Sequence, residues 1–229
     1  MNKIHSICIL ALMLPLCAFA QYDGTPMNKT GDTKKAETAV RTDKYPHSDN
    51  DWENFDVLHI NRLPSAATFM AYTTKEKAVK NDKSQSEYFQ SLNGTWKFQF
   101  VPRSDQRPMD FFEKGHDVSG WGNIKVPANW EMEGYGHPFY VAAGYGIKRT
   151  PPLIAVENSP VGSYKRTFNV PANWKGKQIV LHFGGVASAF YVWVNGEKVG
   201  YSQDSKTPSE FDITPYAVTG QNEIAVQVF

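Results

Sequence analysis

Three acids, Glu131, Glu133 and Glu157, sit in a Gly-, Pro- and aromatic-rich stretch where acid–base work would be looked for, and no motif around them supports it. Spacing alone does not bring two of them together, and bracing a loop is the plainer role for each. The histidines His47, His59, His116, His137 and His182 are scattered without metal-ligand spacing. His182 alternates out of an apolar run, as a solvated or hydrogen-bonded residue does. Tyr140 and Tyr145 offer flat apolar faces whose plainer role is core or interface packing, with stacking on a ring-shaped ligand as the alternative. Both cysteines, Cys8 and Cys17, lie in the first twenty residues, so the rest of the chain has no disulfide or thiolate metal chemistry.

Those residues need a scaffold, and the composition describes one. The chain has 229 residues, 41% hydrophobic and 14% aromatic, with a formal net charge of +1. That suits one globular domain and gives no electrostatic reason to expect nucleic acid or an anionic membrane as partner. Met1 and Lys3, the apolar run Ile4 to Leu16 and the Ala18-Phe19-Ala20 pattern before Gln21 read as a secretory signal over 1–20. The run is shorter than the ~20 residues a membrane-spanning helix needs. Leu16 is bulky for lipoprotein processing at Cys17. The expected location is therefore exported, periplasmic or extracellular.

Residues 21–50 are polar and read as a flexible leader. Residues 51–90 carry isolated anchors (Trp52, Phe55, Leu58, Ile60, Leu63, Phe69, Tyr72) and read as an extended arm laid over another surface. Within it, Thr73-Thr74-Lys75-Glu76 can start a short helix. From Leu92 the period changes to two. Trp96, Phe98 and Phe100 share one face, and alternation returns in Tyr164-Phe168-Val170, Ile179-Leu181-Phe183, Phe190-Val192-Val194 and Ile224-Val226-Val228. Asn195-Gly196 is a type I′ hairpin signal that pairs strands 189–194 and 197–202. Tyr191 and Trp193 make that strand apolar on both faces, as a central strand covered by the arm or a partner domain, or as a sugar-stacking platform. Gly120 to Pro160 reads as a long irregular segment. The pattern predicts an all-β antiparallel sandwich over 91–229. The run Val226 to Phe229 stops within a strand pattern, so the sandwich is expected to be cut in its last strands.

Six blocks then stand in order: Trp52-Glu53-Asn54; His59-Ile60-Asn61-Arg62-Leu63; Ser91 to Phe98; Val126 to Met132; Gly200 to Ser205; and Pro208 to Asp212. Together they resemble the N-terminal region of the large β-galactosidases of glycoside hydrolase family 2, over residues 51–229. The resemblance implies a jelly-roll, galactose-binding-like β-sandwich with an extended N-terminal arm that helps build the subunit assembly. It implies hydrolysis of terminal β-D-galactosides by a full-length enzyme. The acid/base and nucleophile glutamates of that retaining mechanism, ~5–5.5 Å apart, would sit in a separate barrel. A barrel takes ~250 residues, so this chain is expected to hold no catalytic site of its own.

The same resemblance implies particular residues. A loop asparagine that contacts the sugar in the family falls on Ala142, after Pro138-Phe139-Tyr140-Val141. Alanine cannot hydrogen-bond a hydroxyl, so a glycoside specificity other than galactoside stands as the alternative. Tyr140, Ala142 and Tyr145 would line the substrate site. A structural Mg²⁺ would tie the arm to the sandwich through Asp51, Asn54, the Val57 carbonyl and Gln203, an all-oxygen set of the kind Mg²⁺ prefers, with one further carboxylate beyond Phe229. The implied partners are a glycan, the remainder of the same enzyme and further copies of it. A stand-alone carbohydrate-binding module and a pure interaction fragment are the competing readings.

Overall fold

The computed structural model describes residues 50–138 and 150–229. Among the described residues, nine strands form two antiparallel sheets with very little helix. The strands are β1 (His59–Ile60), β2 (Gly94–Val101), β3 (Gly122–Val126), β4 (Val161–Val170), β5 (Val180–Phe183), β6 (Ala189–Val194), β7 (Glu197–Gln203), β8 (Ser209–Asp212) and β9 (Gly220–Val228). The large sheet runs β1-β7-β6-β9-β4-β2-β3, and β5-β8 form the small one. This is the all-β sandwich that the period of two predicts.

The core lies between the sheets. Trp96 and Phe98 of β2, Phe168 and Val170 of β4, Phe190, Val192 and Val194 of β6, and Ile224, Val226 and Val228 of β9 meet Leu181 of β5 and Phe211 of β8. These are the alternating residues of the sequence, one face of each strand turned inward. The Asn195-Gly196 turn forms as expected, with positive φ at both residues (52° and 90°) and Val194 facing Glu197. Asn195 also ties the turn to β9, accepting from the Glu223 amide at 2.9 Å and donating to Asn222 Oδ1 at 2.8 Å.

The second face of the large sheet is covered from within the chain. Tyr191, Trp193, Tyr201 and Ala225 form a separate apolar layer with Phe111, and Trp52, Ile60, Phe112, Trp121 and Phe229 pack on it. Phe112 stacks on Trp193 with ring centroids 4.9 Å apart. All six residues of β6 are buried as a result, so the Tyr191–Trp193 face is not an open stacking platform. Lys165 of β4 pins this cover. Its ammonium, almost fully buried, donates to the carbonyls of Phe111 (3.1 Å) and Glu113 (2.7 Å) and pairs with Glu223 at 3.3 Å.

The arm crosses between the sheets. His59 and Ile60 pair with Ser202 and Tyr201 of β7. Asn61 then takes a left-handed backbone conformation (φ 55°), its amide held by the Val199 carbonyl at 3.0 Å. Two residues later the Leu63 amide donates to the Glu210 carbonyl of β8 at 2.8 Å. Asparagine tolerates this conformation better than other side chains, which lets so short a segment reach both sheets. Further along, the short helix α1 (Lys75–Lys80) starts where expected, with Thr74 Oγ1 accepting from the Lys77 amide.

One expectation changes. The segment Gly120–Pro160 is not irregular throughout, because β3 lies within it and pairs with β2. Only Ile124 of that strand is buried, so alternation gave no signal over five residues. The closing run Ile224–Val228 forms an interior strand, since β9 lies between β4 and β6 and bonds to both. His182 takes the hydrogen-bonded of its two expected roles: it is buried, with Nδ1 hydrogen-bonded to Glu210 at 2.8 Å across the β5–β8 pair.

Candidate functional site at the junction of arm and sandwich

The start of the arm lies on the outer tyrosines of the large sheet. Asp51 accepts a 2.5 Å hydrogen bond from the Tyr191 hydroxyl and lies 3.6 Å from Lys198 Nζ. Lys198 in turn sits over the Tyr191 ring, 4.3 Å from its centroid. Tyr191 and Tyr201 have ring centroids 4.8 Å apart, and the Tyr201 hydroxyl donates to Gln203 Oε1 at 3.1 Å. Burial, reinforced by Asp51, pushes both phenols well above the ordinary tyrosine value. Both therefore stay protonated and act as donors to Asp51 and Gln203.

Two of the groups that the resemblance implies for Mg²⁺, Asp51 and Gln203, thus meet on one tyrosine pair. The Gln203 amide also donates to the Leu58 carbonyl at 3.3 Å, next to Val57. Asn54 is turned to its own loop, its carboxamide oxygen accepting from the Asp56 amide at 3.0 Å and its carbonyl from the Val57 amide at 3.1 Å. The donors fit a hard cation in type, being a carboxylate, two carboxamide oxygens and a carbonyl. A cation at these oxygens would compete with the Tyr191 hydroxyl, the Asp56 amide and the Lys198 ammonium. Among the described residues, no group of three or more His, Cys, Asp or Glu side chains could hold a metal.

Beside this network a cleft of about 660 Å³ opens at one end of the large sheet. β4 and β6 begin there, and β7 and β9 finish there. Its walls include Trp52, Leu58, Trp130, Ile154 and Phe229, with Arg62 and Asp204 as the charged residues among those described and Ser188, Gln203 and Ser205 between them. Trp52 stacks on Phe229 at 4.0 Å between centroids, and Arg107 lies 5.0 Å from the Trp52 ring. The rim is braced by short bonds: the Ser188 amide donates to the Phe229 carbonyl at 2.9 Å, and the Asp204 amide to the Ser188 carbonyl at 3.2 Å.

Tyr140, Ala142 and Tyr145 lie outside the described residues. Of the acids, Glu131 accepts from the Trp130 indole at 2.5 Å, a bracing role. Arg62 and Asp204 stand inside two of the recognised sequence blocks, but nothing local marks them as neighbours. They meet because the arm crosses β7, and a contact between residues that far apart in sequence has no local signature.

Residues 89–229 match the family model described as "Glycosyl hydrolases family 2, sugar binding domain". The chain is 42% identical over 207 residues, 89% of its length, to a protein named "Beta-galactosidase" from Priestia megaterium. It is 42% identical over 188 residues to another of that name from Halalkalibacterium halodurans. The chain spans 20% and 18% of those relatives' lengths. Among solved structures, a β-glucuronidase from Ruminococcus gnavus in complex with D-glucuronic acid aligns with 61% of this chain and 21% of its own, at 25% identity and a TM-score of 0.44.

Proposed function

We propose, from the premise that the chain belongs to glycosyl hydrolase family 2 through its N-terminal sugar-binding domain, that it is the sugar-binding and assembly portion of an exported β-galactosidase-like glycoside hydrolase. The observation that carries this reading is the 42% identity to relatives named β-galactosidase, running over 89% of the chain and so through the arm as well as the sandwich. In this reading the chain positions sugar and builds the wall of a site, and the acid–base pair that cleaves the glycosidic bond belongs to a barrel elsewhere in the enzyme.

The arm supports an assembly role. Phe55, Leu58 and Phe69 keep 59%, 57% and 54% of their surface exposed, more apolar area than a lone surface segment needs. A partner, either further enzyme sequence or a second copy, would bury it. Mg²⁺ would be held by Asp51, Asn54, the Val57 carbonyl and Gln203, and it would supply a cross-link between arm and sheet rather than chemistry. The signal read over residues 1–20 is the basis for export to the periplasm or the extracellular space.

The test is to read the coding DNA beyond the Phe229 codon and assay the encoded polypeptide with aryl β-D-galactopyranoside and aryl β-D-glucuronide side by side. Preferential cleavage of the galactoside is the expected result. A stop codon at that point, or preferential cleavage of the glucuronide, would overturn the reading.

A further inference from the structure

We infer that Asn93 is a site of spontaneous modification, losing ammonia through a succinimide to become aspartate or isoaspartate, while the fold protects its twin at Asn195. The sequence has two Asn-Gly steps, Asn93-Gly94 and Asn195-Gly196, and they are chemically alike. Asparagine is a labile residue, and a following glycine leaves the backbone nitrogen without a Cβ to shield its attack on the side chain. Only the surroundings that the fold gives each step separate them. The reaction needs the chain and water, so it stands apart from any sugar-binding role.

Asn195 is held in place. Its Nδ2 donates to the Tyr216 carbonyl at 2.9 Å and to Asn222 Oδ1 at 2.8 Å, and its Oδ1 accepts from the Glu223 amide at 2.9 Å. Ring closure would break all three bonds. Asn93 is exposed, and among the described residues only its backbone is engaged. Its amide donates to Ser91 Oγ at 3.2 Å, and its carbonyl accepts from Arg166 at 3.3 Å. Gly94 opens β2 opposite Val126, the last residue of the edge strand β3. Strand ends at a sheet edge open at small cost, which lets the side chain and the next nitrogen meet. A Cβ built on Gly94 would find only Arg166 Nη1, 3.9 Å away, so the space around the attacking nitrogen is open.

Arg166 favours the first step. Its guanidinium bonds to the carbonyl of the same peptide group whose nitrogen must attack, and a positive charge there stabilises the deprotonated amide. Hydroxide takes the Gly94 N–H proton, and the nitrogen bonds to Asn93 Cγ. The carboxamide C–N bond breaks, and its nitrogen leaves as ammonia with a proton from water. Water then opens the ring. Cleavage between the Gly94 nitrogen and Cγ gives aspartate on an unaltered backbone, and cleavage at the main-chain carbon gives isoaspartate. One water enters, one ammonia leaves, and nothing is oxidised or reduced. Isoaspartate adds a backbone carbon beside the Leu92 carbonyl, which accepts from Trp96 Nε1 and from Arg166, each at 2.8 Å. Those bonds fasten the start of β2, so the isoaspartyl chain is expected to unfold at a lower temperature.

The experiment incubates the folded chain at mildly alkaline pH and body temperature beside a denatured sample. Peptide mass mapping and isoaspartyl methyltransferase labelling follow the two asparagine peptides. In the folded chain Asn93 is expected to convert about a hundredfold faster than Asn195, the scale of the hydrogen bonds that Asn195 must give up. In the denatured chain the two should convert at similar rates. Asn93→Gln, whose longer side chain closes a ring far less readily, should keep its thermal midpoint through an incubation in which the parent's falls. Three results would each overturn the inference. They are an intact Asn93 in the folded chain while the denatured chain reacts, equal conversion of Asn93 and Asn195 in the folded chain, and an equal fall in midpoint for parent and Asn93→Gln.

Discussion

Gly200 of β7 faces the carbonyl of Ile60 so closely that a Cβ built on it would lie 2.4 Å from that oxygen and 2.7 Å from the Phe211 ring. Arm, large sheet and small sheet converge on this one residue. The requirement is for space, because the glycine sits where the arm strand and β8 both press on β7. Gly200→Ala is therefore expected to push the arm off the sheet or bend β7, at a cost of about 2 kcal/mol or more. Chemical denaturation measures it, and an unchanged midpoint would show that the arm is only loosely laid on.

Lys165 gives a second test, since its ammonium is buried against Glu223 and two carbonyls of the covering segment. Lys165→Met leaves Glu223 without its cation and is expected to lose roughly 3 kcal/mol. The double variant Lys165→Met/Glu223→Gln should lose less than the sum of the single losses. Strict additivity in that cycle would show that the two groups do not interact.

Alkaline pH should loosen the molecule through its tyrosines. Burial raises Tyr191, Tyr201 and Tyr164 above the ordinary value, with Asp51 adding to the first two and Glu131 to the third. The unfolded chain releases these protons near pH ~10 while the folded chain holds them. Stability is then fully present below pH ~10 and falls as pH rises above it, by up to one proton's slope per tyrosine. Tyr191→Phe should flatten that fall in pH-dependent denaturation. An equal slope in the variant would assign the effect to other groups.

Metal dependence separates a cross-linked arm from one held by Asp51 and Tyr191 alone. With Mg²⁺ present, the thermal midpoint is expected to rise and to fall back on chelation, and Asp51→Ala should abolish the rise. If the midpoint ignores Mg²⁺ in the parent chain, these oxygens serve Tyr191, Tyr201, Lys198 and the amides of the Asn54 loop.

Much of the sandwich could be read in one dimension. The alternation at Trp96–Phe100, Phe190–Val194 and Ile224–Val228 is enforced within each strand, because a period of two puts one set of side chains on one face whatever the strand pairs with. Asn195-Gly196 needs positive φ whatever surrounds it. The short β3 was not legible, with a single buried residue to mark it. Nor were the partners of Lys165, whose ammonium reaches carbonyls some fifty residues earlier in the chain.

The site divides in the same way. By itself the sequence determined residue types: oxygen-bearing side chains at Asp51, Asn54 and Gln203, an alanine at position 142, and a family resemblance spread over six blocks. The tertiary structure alone decided that Asp51 meets Gln203 through two tyrosines, and that Arg62 and Asp204 face one cleft. Those neighbours arise where the arm crosses β7, and no local rule of spacing or propensity encodes a crossing between residues some 140 positions apart, as in the bond from Tyr191 to Asp51. Local patterns record what each segment does to itself. Sites made by the packing of one segment on another appear only once the chain has closed around its core.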